Sequence, residues 1–527
     1  MAATTHIPTD VADAHDLEDL GYQQQLHRRI GGYGSFAAGF SFVSILTTVF
    51  QLFAFGFAFG GPSFFWTWPA VFAGQMLVAL CFAELAARYP ISGCIYQWSS
   101  RLAGPALGWA TGWLMLVAQI VTVSAAAIAL QVVLPSIWSG FQLIGGDPAL
   151  TSVSGSTNAV LLGLILLVAT TTINAVGVRV MSLVNSIGVT CELIGVAVLV
   201  VLLFARSERG PGIVLHTEGV AGQGSYLWPF LISALMAAYV LVGFDSAGEL
   251  SEETRDPRGT APRTIIRAVA VSGLGGALML LAALMAAPSV TDGNLATHGL
   301  PYVLTSRLGD TLGRVFLGDV ALAVSVCTLA IQTAATRMIF SMSRDRVLPF
   351  SAALRRVSAR TGTPILPAVM VGVLAAALLL VNVGQPALFT ALTSVCIMLL
   401  YLAYLMVTGP LLLRRLRGWP AVGAPLGRTA TGRPLFTLGR WGLPVNAVAV
   451  GYGLLMAVNL AWPRAVVFDP VGGHWYLRWF AELFLAGAIA VGALAYLRQR
   501  WENRREARTL DPGASRLDDR DLALKVD

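Results

Sequence analysis

The sequence is poor in charge. Only 12% of its 527 residues are Asp, Glu, Lys or Arg, about half the ~25% share of an ordinary soluble domain. Hydrophobic residues make up 56%, and the mean hydropathy is +0.70. Charge is missing from long apolar runs and gathered between them, which excludes a soluble globular chain and points to a polytopic membrane protein. The net charge of +7 does not point to nucleic acid, because the basic residues sit in short loops between apolar runs. Cysteine is scarce as well. Cys81, Cys94, Cys191, Cys327 and Cys396 lie singly, without CxxC spacing or neighbouring histidines. That argues against a disulfide framework or a metal site and for small buried hydrophobes. The six histidines are scattered in tails and outer loops without metal spacing, and no nucleophile–base pair stands out, which disfavours an enzyme. A cleavable signal pattern is missing too. The first 34 residues are polar and acidic, and apolar sequence begins at Phe36, so a cytoplasmic N-terminal tail is expected, disordered to about Leu17.

What the chain does have is apolar runs of membrane-spanning length, about 20 residues each. Hydropathy places them at 36–58, 66–87, 107–134, 158–177, 183–205, 227–248, 264–287, 316–338, 365–383, 387–409, 445–463 and 479–496. The expected fold is therefore all-α and polytopic, with about twelve transmembrane helices. Gly177 and Arg179 divide the fourth run from the fifth. With the N-terminus inside, the cytoplasmic side receives Arg88, Arg101, Arg255, Arg258, Arg263, Arg344, Arg346, Arg355, Arg356, Arg360, Arg414, Arg415, Arg417 and the arginines from Arg498 onward. The outer side receives only Arg206, Arg209, Arg307, Arg314, Arg464 and Arg478. The excess of arginine inside sets the orientation: a multi-pass protein of the cell membrane with both termini cytoplasmic. Residues 498–527 mix both signs and read as a solvated tail whose basic residues can touch anionic lipid.

Two runs are interrupted at matching places. Run six turns from apolar (226–242) to Gly243-Phe244-Asp245-Ser246 and then to the charged Ser251-Glu252-Glu253-Thr254. Run one carries Ser44, Thr47 and Thr48 near its middle. Hydrocarbon offers backbone no hydrogen-bond partner, so broken helix at membrane depth must face protein or a water-filled cavity. Matching breaks in two halves are where secondary transporters place their substrate. The half-helix after a break offers free N–H groups and a positive dipole end, and the half before it offers free carbonyls. Such a pair can grip a small zwitterion by backbone alone. Alternatively, the Ser and Thr hydroxyls bond back to the preceding turn.

These residues resemble the amino acid–polyamine–organocation superfamily of permeases, and within it the amino acid/choline transporter branch. The resemblance rests on Phe82-Ala83-Glu84-Leu85 through Pro90-Ile91-Ser92-Gly93 and on Gly243-Phe244-Asp245 with Ser251-Glu252-Glu253-Thr254 and Ala261-Pro262-Arg263. It continues with Thr336-Arg337-Met338 near Arg344-Asp345 and with Gly439-Arg440-Trp441-Gly442-Leu443-Pro444. It implies a LeuT-type fold, two inverted five-helix repeats plus two helices. The corresponding segments are a tail (1–34), a first repeat (35–205), a second (206–411), a cytoplasmic loop (412–444), two last spans (445–497) and a tail (498–527). It also implies a substrate site between spans one, three, six, eight and ten. One departure stands out: much of the superfamily has Gly-x-Gly in span one, where this chain has Leu46-Thr47-Thr48.

The candidate substrate-binding residues are Ser44, Thr47, Thr48, Gln119, Tyr239, Leu241, Gly243, Phe244 and Asp245. Asp245 can equally cap broken backbone, and Phe244 can equally be packing. Glu192 lies mid-span in run five, where a charge is costly and must be neutral, paired or wet. With Thr328 it is the candidate coupling group, carrying a proton or binding a cation; the alternative is a structural carboxyl bonded to Ser44, Thr328 or backbone. Glu84 is expected to pair with a loop arginine. The function expected is an importer of an amino acid or small organic amine such as 4-aminobutyrate, driven by protons rather than sodium, with no other cofactor, and cycling by alternating access. The alternatives are an amine exchanger and a sensor that binds without transporting.

Overall fold

The computed structural model describes residues 9–510 except 221–223, 292, 382, 385, 421–426 and 469–472. Among these residues regular structure is helical, and β-pairing is confined to two isolated bridges, Ile30 with Thr254 and Arg428 with Pro434. Ten helices are long and apolar enough to cross a membrane, and two shorter apolar ones, Leu227–Val240 and Ile365–Val381, bring the described spans to twelve. All-helical construction is the direct answer to hydrocarbon, which leaves each backbone group to find its partner inside its own helix.

Span one is two helices, Gly32–Val43 and Ile45–Gly60, and span two is Thr67–Arg88. A short helix, Cys94–Ala103, follows before span three at Pro105–Ile137. Spans four (Val153–Val176) and five (Val178–Ala205) meet at Gly177, whose φ of 145° makes the turn. Span six is Leu227–Val240, a break, and the single turn Ser246–Glu249. Span seven is Pro257–Ala286. Span eight belongs to Asn294–Arg344, whose non-helical Gly299 and Gly309 separate an outer segment from the crossing helix. Spans nine to twelve are Ile365–Val381, Pro386–Leu416, Gly442–Ala461 and Phe480–Leu510.

The packing has internal symmetry at five-span spacing. Span one packs on six, two on seven, three on eight and four on nine. Span three also packs on ten, and span eight correspondingly on five. Spans eleven and twelve lie outside this set, eleven against two and ten, twelve against three and ten. Both ends of the described chain share one face. Tyr22 donates to Asp345 Oδ1 (3.0 Å) there, and Asn503 Nδ2 donates to the Arg346 carbonyl (3.1 Å). We call it the terminal face.

The structure departs from hydropathy at both ends. Thr9–Glu18 is a helix rather than disordered tail, and Leu17, Leu26 and Ile30 are buried. Arg28 donates to the carbonyls of Asp13 (3.0 Å) and Thr254 (2.9 Å), and the Asp256 N–H donates to Asp13 Oδ2 (2.9 Å). Polar sequence can therefore dock through specific partners rather than bulk hydrophobicity. At the other end the last helix runs past Arg498 to Leu510, helped by an Arg498–Glu502 pair at i,i+4 (2.9 Å). The expected tail beyond 510 lies outside the described residues.

Candidate functional site

Span one breaks at a single residue. Ser44 takes φ 34°, ψ 97°, a strained conformation for a side-chain-bearing residue, and caps the second half-helix. Glu192 of span five is seated on this break: its Oε1 accepts from Ser44 Oγ (3.0 Å) and from the Leu46 N–H (3.0 Å). It is 1% exposed. Its position at the positive end of the half-helix Ile45–Gly60 is the one an anion favours. Ser44 Oγ contacts Thr47 Oγ1 (2.7 Å), while Thr48 Oγ1 donates back to the carbonyls of Ser44 (2.6 Å) and Val43 (3.3 Å). The bare backbone that sequence suggested for a zwitterion is thus occupied on both sides, the N–H by Glu192 and the carbonyl by Thr48. Thr328 does not reach Glu192; its hydroxyl donates to Val324 O of its own helix (2.8 Å).

Span six breaks over Leu241–Asp245. Gly243 has φ 87°, and its N–H donates to Tyr404 OH (2.9 Å), which in turn donates to Asp245 Oδ1. A Cβ on Gly243 would lie 1.7 Å from the Phe42 ring, so the two breaks meet at a glycine. Ser246 Oγ donates to Ala38 O (3.3 Å), tying the lower part of span six to span one. Phe244 packs with Phe82 and Tyr404, ring centroids 5.9 and 5.4 Å apart. It is a packing residue in this geometry.

Between the breaks lies a buried polar cluster. Tyr239 lies beside the Gln51 amide without a well-formed hydrogen bond and near the thiols of Cys327 and Cys396; Cys396 lies near Thr122. Gln51 Nε2 donates to Ala125 O (2.9 Å), yet its Oε1 has no partner among the described residues, nor has either amide atom of Gln119, one turn before Thr122 in span three. Buried amides are normally satisfied, so these orphaned groups mark where a polar ligand can bind. The cluster draws on spans one, three, six, eight and ten. Cys327, Cys396 and Gln51 were missed from the sequence; mid-span cysteines read as plain hydrophobes.

Buried ion pairs close the terminal face below the breaks. Glu252 holds Arg344 with two contacts of 2.9 Å, and Glu253 holds Arg337 at 2.9 and 3.2 Å. Glu84 binds Arg415 at the end of span ten and accepts from Thr437 Oγ1 (2.8 Å). The Ser251–Thr254 loop is therefore a zip between span six, span eight and the N-terminal segment. Asp319, in span eight, was also missed: it sits against Gly195, one turn beyond Glu192.

The chain matches the amino acid permease family over residues 29–489. It is 30% identical over 476 residues to amino-acid permease BAT1 of Arabidopsis thaliana, covering 85% of this chain and 88% of that protein. It is 28% identical over 468 residues to the BAT1 homolog of Oryza sativa subsp. japonica, covering 85% and 87%. With the thiamine transporter thi9 of Schizosaccharomyces pombe it shares 26% identity over 431 residues, 74% of this chain and 72% of the other. Twelve packed spans, paired breaks and a match along nearly the whole hydrophobic part place this chain in the amino acid permease family of the amino acid–polyamine–organocation superfamily, as a multi-pass membrane transporter of amino acids or organic substrates.

Proposed function

We propose that this permease imports an amino acid or a small organic amine such as 4-aminobutyrate, coupled to protons, by alternating access across the cell membrane with the terminal face in the cytoplasm. The observation that supports the coupling is Glu192 on the break of span one, bonded to Leu46 N and Ser44 Oγ with no basic partner. A carboxylate is a stronger acceptor than a carboxylic acid. Protonation of Glu192 therefore loosens its hold on the half-helix and frees the Leu46 N–H for a substrate carboxylate. Loss of the proton on the other side restores the Glu192 contact and ejects the substrate. The orphaned amides of Gln51 and Gln119 serve the substrate's polar groups, with Tyr239 beside Gln51. Ser44, Thr47 and Thr48 shape the break, and Leu241, Gly243 and Asp245 carry the hinge of span six.

The test is uptake into proteoliposomes with an imposed pH gradient, using 4-aminobutyrate, choline, putrescine and standard amino acids as competitors. Wild type is expected to concentrate its substrate, and Glu192→Gln is expected to keep exchange of internal for external substrate while losing accumulation. Accumulation by Glu192→Gln equal to wild type would defeat the coupling role. Uptake that needs internal substrate even in wild type would make the protein an exchanger.

A further inference from the structure

Below the span-six break, three side chains from two distant parts of the chain converge. Cys94 Sγ, a carboxylate oxygen of Asp245 and one of Glu249 all lie within 4.8 Å of one another, and all three residues are buried. The Cys94 thiol donates to Glu249 Oε1 and to the Asp245 carbonyl, both at 3.5 Å. Asp245 Oδ1 is held by Tyr404 OH, but Asp245 Oδ2 and Glu249 Oε2 have no partner. The residues are 1% and 0% exposed. Among the described residues no basic side chain acts on either acid; Arg337 and Arg344 are engaged by Glu253 and Glu252. Two buried carboxyls without a base are held either as neutral acids or around a cation, and a thiol converging on both of them supplies a third ligand for the cation.

We propose that Cys94, Asp245 and Glu249 form a binding site for a transition-metal dication of the zinc type. Sulfur together with carboxylate oxygen selects such ions over magnesium or calcium, and metal–ligand distances of about 2.0–2.3 Å are reached by a small inward contraction of the three side chains. Solvent supplies the fourth donor, since the Asp245 carbonyl already accepts from the N–H groups of Gly248 (2.7 Å) and Glu249 (3.2 Å). Binding releases the thiol proton to solvent and leaves a thiolate–metal bond. The metal clamps the helix Cys94–Ala103 to the break of span six, and it enters when the terminal face opens. Spacing rules could not find this set, because Cys94 and Asp245 are 151 residues apart.

The site is tested independently of substrate or proton coupling. Purified full-length protein, stripped with chelator, is titrated with Cd²⁺ and followed by ultraviolet thiolate-to-metal absorption. One saturable Cd²⁺ is expected, displaced by Zn²⁺ but not by Mg²⁺. The band should vanish in Cys94→Ser, persist in Cys81→Ser, and need at least about tenfold more Cd²⁺ in Glu249→Gln. Should Cys94→Ser fail to fold, wild type still decides, since Zn²⁺ and not Mg²⁺ must then raise its Tm. Absence of the band, its survival in Cys94→Ser, or a Tm unmoved by Zn²⁺ overturns the proposal.

Discussion

A missing Cβ lets spans one and six meet. Gly243 is needed twice, once for its φ of 87° and once because the Phe42 ring fills the place of a side chain. Gly243→Ala should therefore destabilise the fold by about 1–2 kcal/mol through the left-handed backbone and by a further ~1–3 kcal/mol through overpacking. The readout is Tm in detergent. Phe42→Ala is itself costly, but on that background Gly243→Ala should cost only the backbone part, so a Gly243→Ala protein as stable as wild type contradicts this account. At this scale the sequence was partly legible. Ser44 and Glu192 stood out because polar groups in an apolar run are visible one by one. Their mutual contact stood there only as one alternative beside Thr328 and the backbone, since choosing among them depends on how span five lies against the break 148 residues away. Thr328 read as a coupling partner by position, but a mid-helix hydroxyl has its own preceding carbonyl within reach and takes it.

Among elements, the N-terminal helix Thr9–Glu18 was least legible, because its docking uses the buried Asp13 carboxyl, the half-buried Asp16 and the single Leu17 instead of an apolar stripe. Burial pushes the Asp13 carboxyl up to about 6 from an ordinary 3.8, and raises that of Asp16 despite Arg258 beside it. An acid with a raised value in the docked state binds its proton more tightly docked than free. Its contribution to docking is therefore full below about pH 3.8 and is lost as pH rises through about 6. Amide exchange over Thr9–Glu18, corrected for its intrinsic pH dependence, should be slower near pH 5 than near pH 7, by about tenfold at most. Asp13→Asn should flatten the difference. Slower exchange at the higher pH would mean that the carboxylate form is the one that docks. This helix meets the Ser251–Thr254 loop through Arg28, so its docking bears on the same zip of ion pairs that closes the terminal face.

For the whole molecule, the twelve spans were readable because hydrocarbon demands length and apolarity, two properties that need no tertiary information. The break of span six was readable as polarity, and so was its counterpart in span one, five spans earlier. What lay outside the sequence was convergence: Cys94 with Asp245 and Glu249, and Tyr239 with Cys327 and Cys396, each assembled from spans far apart in the chain. Orientation is the remaining global property, and it rests on charge. Arg255, Arg344, Arg346 and Arg415 lie near the ends of spans on the terminal face, whereas Arg209 and Arg307 lie opposite, where Arg209 donates to Pro288 O (3.1 Å) and Arg307 pairs with Glu208. Arginine near span ends is retained on the cytoplasmic side during insertion, so the terminal face should be cytoplasmic. In intact cells a full-length chain carrying a fluorescent protein after Asp527 should therefore fluoresce, while an epitope inserted between Glu218 and Gly219 should be reached by antibody without permeabilisation. An epitope reached only after permeabilisation would invert the orientation, and with it the direction in which Glu192 takes up and releases its proton.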